Sequence, residues 1–124
     1  ILIETSFLGM PKNFEEIIFN LRMMDYNPVL AHPERYRFLH KDFKTLHKLK
    51  RMGCYFQLNL LSLVGYYGDD ISKMSDKLLE KNIIDFVGSD IHSKRHIIAF
   101  DKNVRLNNIK LIESVFENNN KIFG

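Results

Sequence analysis

The sequence contains 124 residues, of which 45% are hydrophobic and 27% charged, and its formal net charge at pH 7 is +3. This length and apolar content fit one small globular domain and argue against a second one. No apolar run approaches the roughly 18 residues of a transmembrane helix, and no charged segment precedes an apolar stretch at the start, so neither membrane insertion nor export is expected. We expect a cytoplasmic protein whose modest positive charge alone selects no partner.

Short apolar runs alternate with amphipathic segments along the chain. Residues 1–3 are wholly apolar and predict a strand, and apolar side chains at helical spacing predict a helix over residues 14–24. Turn-forming residues up to Pro28 end that helix. The apolar run 29–31 then predicts a second strand that is covered on both faces.

The same alternation continues in the second half of the chain. It predicts a helix over residues 43–52, a strand over 55–60, a helix over 71–81, a strand over 83–87 and a last helix over 108–118. Repeated strand–helix units imply parallel strands joined by right-handed crossovers. We therefore predict an α/β fold, either a layered sheet or part of a (β/α) barrel.

Side chains that bind metals follow three of the predicted strands. Glu4 follows the first strand, His32 the second, and Asp90 and His92 the fourth. Because the carboxyl ends of parallel strands lie at one edge of a sheet, we expect these residues to converge there. Carboxylate and imidazole ligands together favour Mn, Fe or Zn over Ca, which prefers oxygen ligands.

Two arginines accompany these ligand candidates. Arg35 lies three residues after His32, and Arg95 lies three residues after His92. A guanidinium donates paired hydrogen bonds to a phosphate, and its fixed charge stabilises a phosphoryl transition state. The structural alternatives are that His32 is a core histidine, that Arg35 is a surface ion-pair partner and that Asp90 only caps a strand end.

The remaining histidines and the single cysteine carry weaker signals. His40 and His47 belong to a basic helical region where solvated positions are ordinary, and His96 has no strand context. Cys54 lies in an apolar segment without a catalytic signature, so we expect a buried thiol that forms no internal disulfide. Asn59, at the end of the third predicted strand, is a candidate for orienting a water or a ligand.

Three segments of the sequence resemble a known enzyme family. They are Ala31–Tyr36, Gln57–Leu63 and Gly88–His92. Together they are similar to the bacterial polymerase-and-histidinol-phosphatase (PHP) type protein-tyrosine phosphatases of capsular and exopolysaccharide loci. The resemblance runs in order through nearly the whole chain, and its histidine-proline-glutamate-arginine-tyrosine loop is more specific than a lone pair of ligands.

The resemblance implies a distorted (β/α)7 PHP barrel and a manganese-dependent phosphatase with up to three metal ions. It implies hydrolysis of phosphotyrosine by metal-activated water, with a tyrosine kinase of polysaccharide export as the substrate. The matching functional positions are Glu4, His32, Asp90 and His92 as metal ligands and Arg35 and Arg95 as phosphate-binding arginines. Iron or zinc could replace manganese in such a multinuclear site.

The chain departs from the family pattern in one respect. The family begins with a His-x-His strand end and further His and Glu ligands, which are not found in this sequence. We therefore expect residues 1–124 to be the C-terminal portion of a single phosphatase domain whose N-terminal half is absent, with little activity alone. A half-barrel leaves strand edges open, so self-association into a homo-oligomer is expected.

Three other functions remain open from the sequence. A PHP-type phosphoesterase acting on a small ester such as histidinol phosphate would use the same site. A nucleic-acid-binding module would use the basic region His40–Arg51, but aromatic residues suited to base stacking are not interleaved there, so we expect no nucleic-acid partner. A non-catalytic interaction domain would keep the scaffold without the metal.

Overall fold

A four-stranded parallel β-sheet organises the protein. The computed structural model describes residues 1–88, and its strands are β1 (Leu2–Ile3), β2 (Val29–Ala31), β3 (Tyr55–Asn59) and β4 (Phe86–Gly88). Each strand pairs in parallel with the next one along the chain, which gives the order β1-β2-β3-β4. All four carboxyl ends therefore lie at one edge of the sheet.

Helices connect the successive strands. The four α-helices are α1 (Phe14–Met23), α2 (Phe43–Arg51), α3 (Leu60–Leu63) and α4 (Asp69–Glu80). Two single-turn 3-10 helices, Pro33–Arg35 and Arg37–Leu39, follow β2. The α/β class and the predicted alternation are confirmed through β4, whereas α3 and the two 3-10 helices were not predicted. The helix predicted over 108–118 lies outside the described residues.

The fourth strand differs most from its predicted bounds. It was predicted over residues 83–87 and is formed by Phe86–Gly88. The Ile83 N–H still donates to a carbonyl in the last turn of α4, at 3.4 Å. Pairing with β3 begins only at Asp85, whose N–H donates to the Phe56 carbonyl at 2.9 Å. The apolar residues before Asp85 are buried, but they belong to the turn out of the helix.

The core lies between the sheet and its helices. β2 is buried along its whole length, as its wholly apolar sequence predicted. Fully buried side chains come from strands and helices alike and include Ile18, Leu30, Leu46, Leu49, Phe56, Leu58 and Leu78. Because burial of one such side chain contributes about 1.5–3 kcal/mol, this packing fixes the strand ends relative to one another.

The strand order bears on the choice between a layered sheet and a barrel. In a doubly wound sheet the order reverses at a switch point, whereas in a (β/α) barrel each strand lies beside its predecessor. The order β1-β2-β3-β4 follows the barrel pattern. Within residues 1–88 the sheet is open, with β1 and β4 at its edges, so barrel closure stays a prediction.

Large apolar side chains are exposed in the first part of the chain. They are Ile1, Leu2, Phe7, Leu8, Ile17, Phe19, Met23, Met24 and Tyr26. Most of them belong to β1, to α1 and to the loop between these elements. Among residues 1–88, no helix has both the length and the apolar character needed to cross a membrane.

Candidate metal and phosphate site

A cavity of about 210 Å³ opens at the carboxyl edge of the sheet. All four strands, or the residues directly after them, contribute to its wall. The lining residues are Leu2, Glu4, Ala31, His32, Gln57, Leu58, Asn59 and Gly88. The parallel topology therefore brings residues from four separate parts of the chain to one place, as the sequence predicted for this edge.

Two of the predicted metal ligands meet at this cavity. Glu4 Oε1 lies 3.4 Å from His32 Nε2, with the Glu4 side chain 68% exposed and the His32 side chain 11% exposed. The other ring nitrogen, His32 Nδ1, is buried and has no hydrogen-bond partner among residues 1–88. A buried polar atom without a partner is costly, so this nitrogen indicates a partner other than the residues described. Glu4 and His32 thus offer one carboxylate and one imidazole to a divalent cation.

The other two predicted metal ligands follow β4. Asp90 and His92 lie outside the described residues, as does Arg95. Within residues 1–88, no group of three or more His, Cys, Asp or Glu side chains is arranged to hold a metal ion. Gly88, two residues before Asp90, lines the cavity, and a Cβ at Gly88 would meet Gln57 Nε2 at 2.6 Å. The Gly88 backbone therefore lies close to the Gln57 side chain.

The backbone of His32 adopts an unusual conformation. Its φ of 38° and ψ of 60° lie in the left-handed region, although a following proline ordinarily favours an extended residue. The His32 N–H still donates to the Gln57 carbonyl, at 2.7 Å, and the His32 carbonyl accepts from the Arg35 N–H, at 3.0 Å. The chain therefore leaves the sheet at His32, and the surrounding contacts hold a conformation that costs of order 1 kcal/mol.

An aromatic cluster fixes the His32 ring. Phe7 stacks on it with the centroids 5.9 Å apart, and Tyr36 packs against it at 5.3 Å. Tyr36 is fully buried, which raises the pKa of its hydroxyl, and that hydroxyl accepts a hydrogen bond from the Thr5 N–H at 3.1 Å. Tyr36 thereby ties the loop that carries Glu4 to the loop that carries His32. Its role was not predicted from the sequence.

A second residue missed by sequence reasoning, Glu34, lies beneath the site. Its side chain is fully buried, and its Oε1 accepts a hydrogen bond from the Asn59 N–H at 3.0 Å. Its carbonyl oxygen lies 2.7 Å from His40 Nε2, which gives that histidine a structural partner. Burial raises the pKa of Glu34 from 4.5 to about 7, although the hydrogen bond from the Asn59 N–H lowers it. Glu34 thus joins the loop after β2 to the end of β3.

Asn59 has a structural role besides lining the cavity. Its Oδ1 accepts a hydrogen bond from the Leu61 N–H at 3.0 Å and so caps α3. Asn59 Oδ1 is therefore already engaged in capping, and the predicted role of Asn59 in orienting a water or a ligand would need the same oxygen. The sequence signal for the cap was present, because asparagine is a preferred residue at that position.

The guanidinium of Arg35 contacts two aromatic rings. Its Cζ is 4.1 Å from the centroid of the Tyr67 ring and 5.1 Å from that of Phe7. Arg35 forms no ion pair with an acidic side chain of residues 1–88, which disfavours the surface ion-pair alternative. Phe7 contacts both Arg35 and His32, so the predicted phosphate-binding arginine and the predicted metal ligand share one neighbour.

Two other sequence interpretations concern residues outside this site. Cys54 is buried as predicted, and its burial raises the pKa of the thiol to about 11, so a nucleophilic thiolate is disfavoured. In the basic helix α2, Lys48 forms an ion pair with Glu15 at 3.1 Å, and Lys50 pairs with Asp85. These pairs reduce the positive charge that α2 can offer to a nucleic acid.

Most of the chain matches the model of a known protein family. The model for capsular polysaccharide synthesis, CpsB/CapC, matches residues 1–103. Tyrosine-protein phosphatase YwqE of Bacillus subtilis is 38% identical over 93 residues, which cover 75% of this chain and 37% of that protein. Tyrosine-protein phosphatase CpsB of Streptococcus pneumoniae is 32% identical over 97 residues, with 74% and 40% covered.

A solved structure shows the same likeness. It comes from crystal structures of YwqE from Bacillus subtilis and CpsB from Streptococcus pneumoniae, described as unique metal-dependent tyrosine phosphatases. The TM-score is 0.73 at 31% identity, and the match covers 100% of this chain and 46% of the other. The chain thus spans less than half the length of these relatives.

Proposed function

The chain belongs to the CpsB/CapC family of capsular polysaccharide synthesis, and from this premise we propose that the whole protein is a metal-dependent protein-tyrosine phosphatase. It hydrolyses phosphotyrosine monoesters with metal-activated water and regulates capsular or exopolysaccharide synthesis. Its substrate is a phosphotyrosine protein, namely a tyrosine kinase of polysaccharide export, and it acts in the cytoplasm. The observation that carries the proposal is the approach of Glu4 Oε1 to His32 Nε2, at 3.4 Å, at the carboxyl edge of the sheet.

The donor set supports a divalent transition metal as the cofactor. Glu4 supplies carboxylate oxygen and His32 imidazole nitrogen, and this mixture suits Mn²⁺, with iron or zinc as alternatives. The proposed remaining ligands are Asp90 and His92, with further ligands from the rest of the protein in a multinuclear site. The metal would supply Lewis acidity that lowers the pKa of a water molecule.

Arg35 binds the phosphoryl group in this proposal. Its charge is not neutralised by an ion pair within residues 1–88, so it is available to an anion. The planar guanidinium can donate two parallel hydrogen bonds to phosphate oxygens, and its charge opposes the negative charge of the transition state. Arg95 would do the same from the loop after β4.

The proposed fold of the whole domain is a PHP barrel. The sequential order of the four parallel strands supports a barrel more than a doubly wound sheet. Residues 1–124 would form the C-terminal portion of that one domain, so activity requires the rest of the protein. For this reason the tests use the whole protein that contains this chain.

The first test concerns metal binding and activity together. Substituting His32→Ala in the whole protein should lower bound metal and should lower kcat/KM for a phosphotyrosine peptide on the order of 100-fold. Metal content is measured by mass spectrometry after gentle purification. His47→Ala, a histidine of α2, is the matched control and should leave both quantities unchanged. Full metal content and full activity in His32→Ala would contradict the proposal.

A second test concerns the substrate. Arg35→Lys keeps the charge but loses the paired donors, so kcat/KM for phosphotyrosine peptide should fall by roughly 10- to 100-fold. The wild-type protein is also compared on phosphotyrosine peptide and on small esters such as histidinol phosphate. A preference for the small ester would replace the substrate claim by the phosphoesterase alternative. If the whole protein neither binds metal nor hydrolyses these esters, the remaining alternative is a non-catalytic interaction domain.

A further inference from the structure

Two aromatic side chains cover Arg35 from different parts of the chain. Phe7 belongs to the loop between β1 and α1, and Tyr67 belongs to the loop between α3 and α4, whereas Arg35 follows β2. Their rings lie 5.1 Å and 4.1 Å from Arg35 Cζ, which are distances of cation–π contacts. Three loops at the carboxyl edge of the sheet therefore meet at one guanidinium.

A tight turn presents Tyr67. The Gly68 N–H donates to the Gly65 carbonyl at 3.1 Å, and the φ angles of these two glycines are +111° and +85°. Residues other than glycine rarely adopt such φ angles, so the turn depends on both glycines. The Tyr66 N–H also donates to the Leu61 carbonyl, at 3.1 Å, which anchors the turn to α3.

Phe7 is held firmly and is still half exposed. Its ring contacts His32, Tyr36 and Arg35, with centroid separations of 5.9 Å and 5.5 Å to the first two. Nevertheless 51% of the residue is accessible to solvent. Three contacts fix the Phe7 ring beside a cation, and half of the residue stays open to solvent. Such a ring is suited to bind another apolar group.

We propose that Phe7 and Tyr67 clamp the two faces of the Arg35 guanidinium, and that the exposed part of Phe7 is the subsite for the aromatic ring of an aryl phosphate. This inference rests on the proposed function, because Arg35 is the phosphate-binding arginine there. The N–H donors of a guanidinium lie in its own plane, so rings on its two faces leave these donors free for paired hydrogen bonds to a phosphate. In a tyrosyl phosphate the ring is attached directly to the ester oxygen, so a phosphate on Arg35 brings that ring to the neighbouring Phe7.

The test separates the two parts of this proposal in the whole protein. Phe7→Leu should lower kcat/KM for every ester, because Phe7 is one half of the clamp on Arg35. For phosphotyrosine peptide the loss should be roughly tenfold greater than for phosphoserine peptide and glycerol phosphate, mainly through KM, because only the aryl ester also loses its contact with the Phe7 ring. Tyr67→Leu should lower kcat/KM roughly tenfold for all of these esters, because it loosens Arg35 itself. The conservative variants Phe7→Tyr and Tyr67→Phe should keep most of the wild-type activity.

The matched control is Phe19→Leu. Phe19 lies on α1, and 57% of it is exposed, so the change in apolar area is similar while the site is untouched. Inhibition of the wild-type protein provides a readout that needs no variant to fold. Phenylphosphonate should bind roughly tenfold more tightly than inorganic phosphate, because only the former can contact Phe7.

Each outcome decides between the hypotheses. Equal losses on aryl and alkyl esters in Phe7→Leu, or equal inhibition by phenylphosphonate and phosphate, would overturn the aryl subsite. Unchanged kinetics in Tyr67→Leu would overturn the clamp. A wild-type protein that hydrolyses no phosphate ester would overturn the proposed function and this inference with it. If the wild type is active, failure of the aryl-subsite test or of the clamp test overturns this inference alone.

Discussion

The buried carboxyl group of Glu34 makes the stability of the protein depend on pH. Burial raises the pKa of Glu34 from 4.5 to about 7 in the folded protein. At about 1.4 kcal/mol per pKa unit, this difference corresponds to about 3 kcal/mol. Glu34 is fully buried, so solvent screening does not reduce this value. We predict that Glu34→Gln removes this dependence, because glutamine keeps an acceptor for the Asn59 N–H but carries no charge.

The sign follows from proton binding. Between pH 4.5 and about 7 the folded protein binds more protons at Glu34 than the unfolded chain does, so stability falls as pH rises through this interval. Below pH 4.5 the carboxyl group is neutral in both states, and the glutamine variant should be about as stable as the wild type. Above pH 7 the wild type keeps a buried carboxylate, and Glu34→Gln should be more stable by up to about 3 kcal/mol.

The measurement is urea unfolding of the whole protein without metal, in EDTA, at several pH values from 4.5 to 8. Glu16→Gln is the matched control, because it makes the same substitution at an exposed glutamate of α1. Glu34→Ala should be destabilised by about 1–3 kcal/mol at low pH, because the buried Asn59 N–H loses its acceptor. A constant difference between wild type and Glu34→Gln over the whole range would refute the reasoning.

Three further predictions concern stability and association. Gly53→Ala should lower the free energy of unfolding by about 1–2 kcal/mol in urea, because the φ angle of Gly53 is +93° and the new Cβ would lie 2.8 Å from Arg22 Nε. Gly9→Ala is the control and should leave the free energy of unfolding unchanged, because a Cβ at Gly9 would meet no atom within 4 Å. Asp42→Ala should lower the free energy of unfolding in urea by about 1 kcal/mol, because Asp42 Oδ1 caps α2 by accepting a hydrogen bond from the Thr45 N–H at 3.1 Å. Asp42→Asn should retain most of the stability that the cap provides. The 124-residue chain alone should self-associate with rising concentration through the exposed apolar side chains of β1 and α1, and light scattering during size-exclusion chromatography that shows only monomer would contradict this.

Local sequence patterns were sufficient for the main elements. The wholly apolar run 29–31 predicted a strand covered on both faces, and helical spacing predicted α1, α2 and α4. These patterns are informative because the periodicity of apolar residues directly reflects which face of an element is buried. The 3-10 helices after β2 and the short helix α3 were missed, since elements of three or four residues carry too little periodicity to be recognised.

The sequence also indicated which strand ends carry chemistry. Glu4 and His32 were expected at one edge of a parallel sheet, and they lie there with 3.4 Å between their nearest atoms. That expectation needs only parallel strands and the position of each residue just after its strand. The roles of Asp90, His92 and Arg95, which lie outside the described residues, stay predictions of the sequence.

The tertiary structure alone decided how the predicted residues are supported. The acceptor for the Asn59 N–H is Glu34, 25 residues earlier, and the rings on Arg35 come from Phe7 and Tyr67 on two other loops. Such contacts follow from the packing of whole elements, because the same local sequence would place these side chains in solvent if the sheet were assembled in another order. The sequence by itself therefore determined the main elements, the parallel arrangement and the candidate ligands. The packed sheet determined which buried acid and which aromatic rings support those ligands.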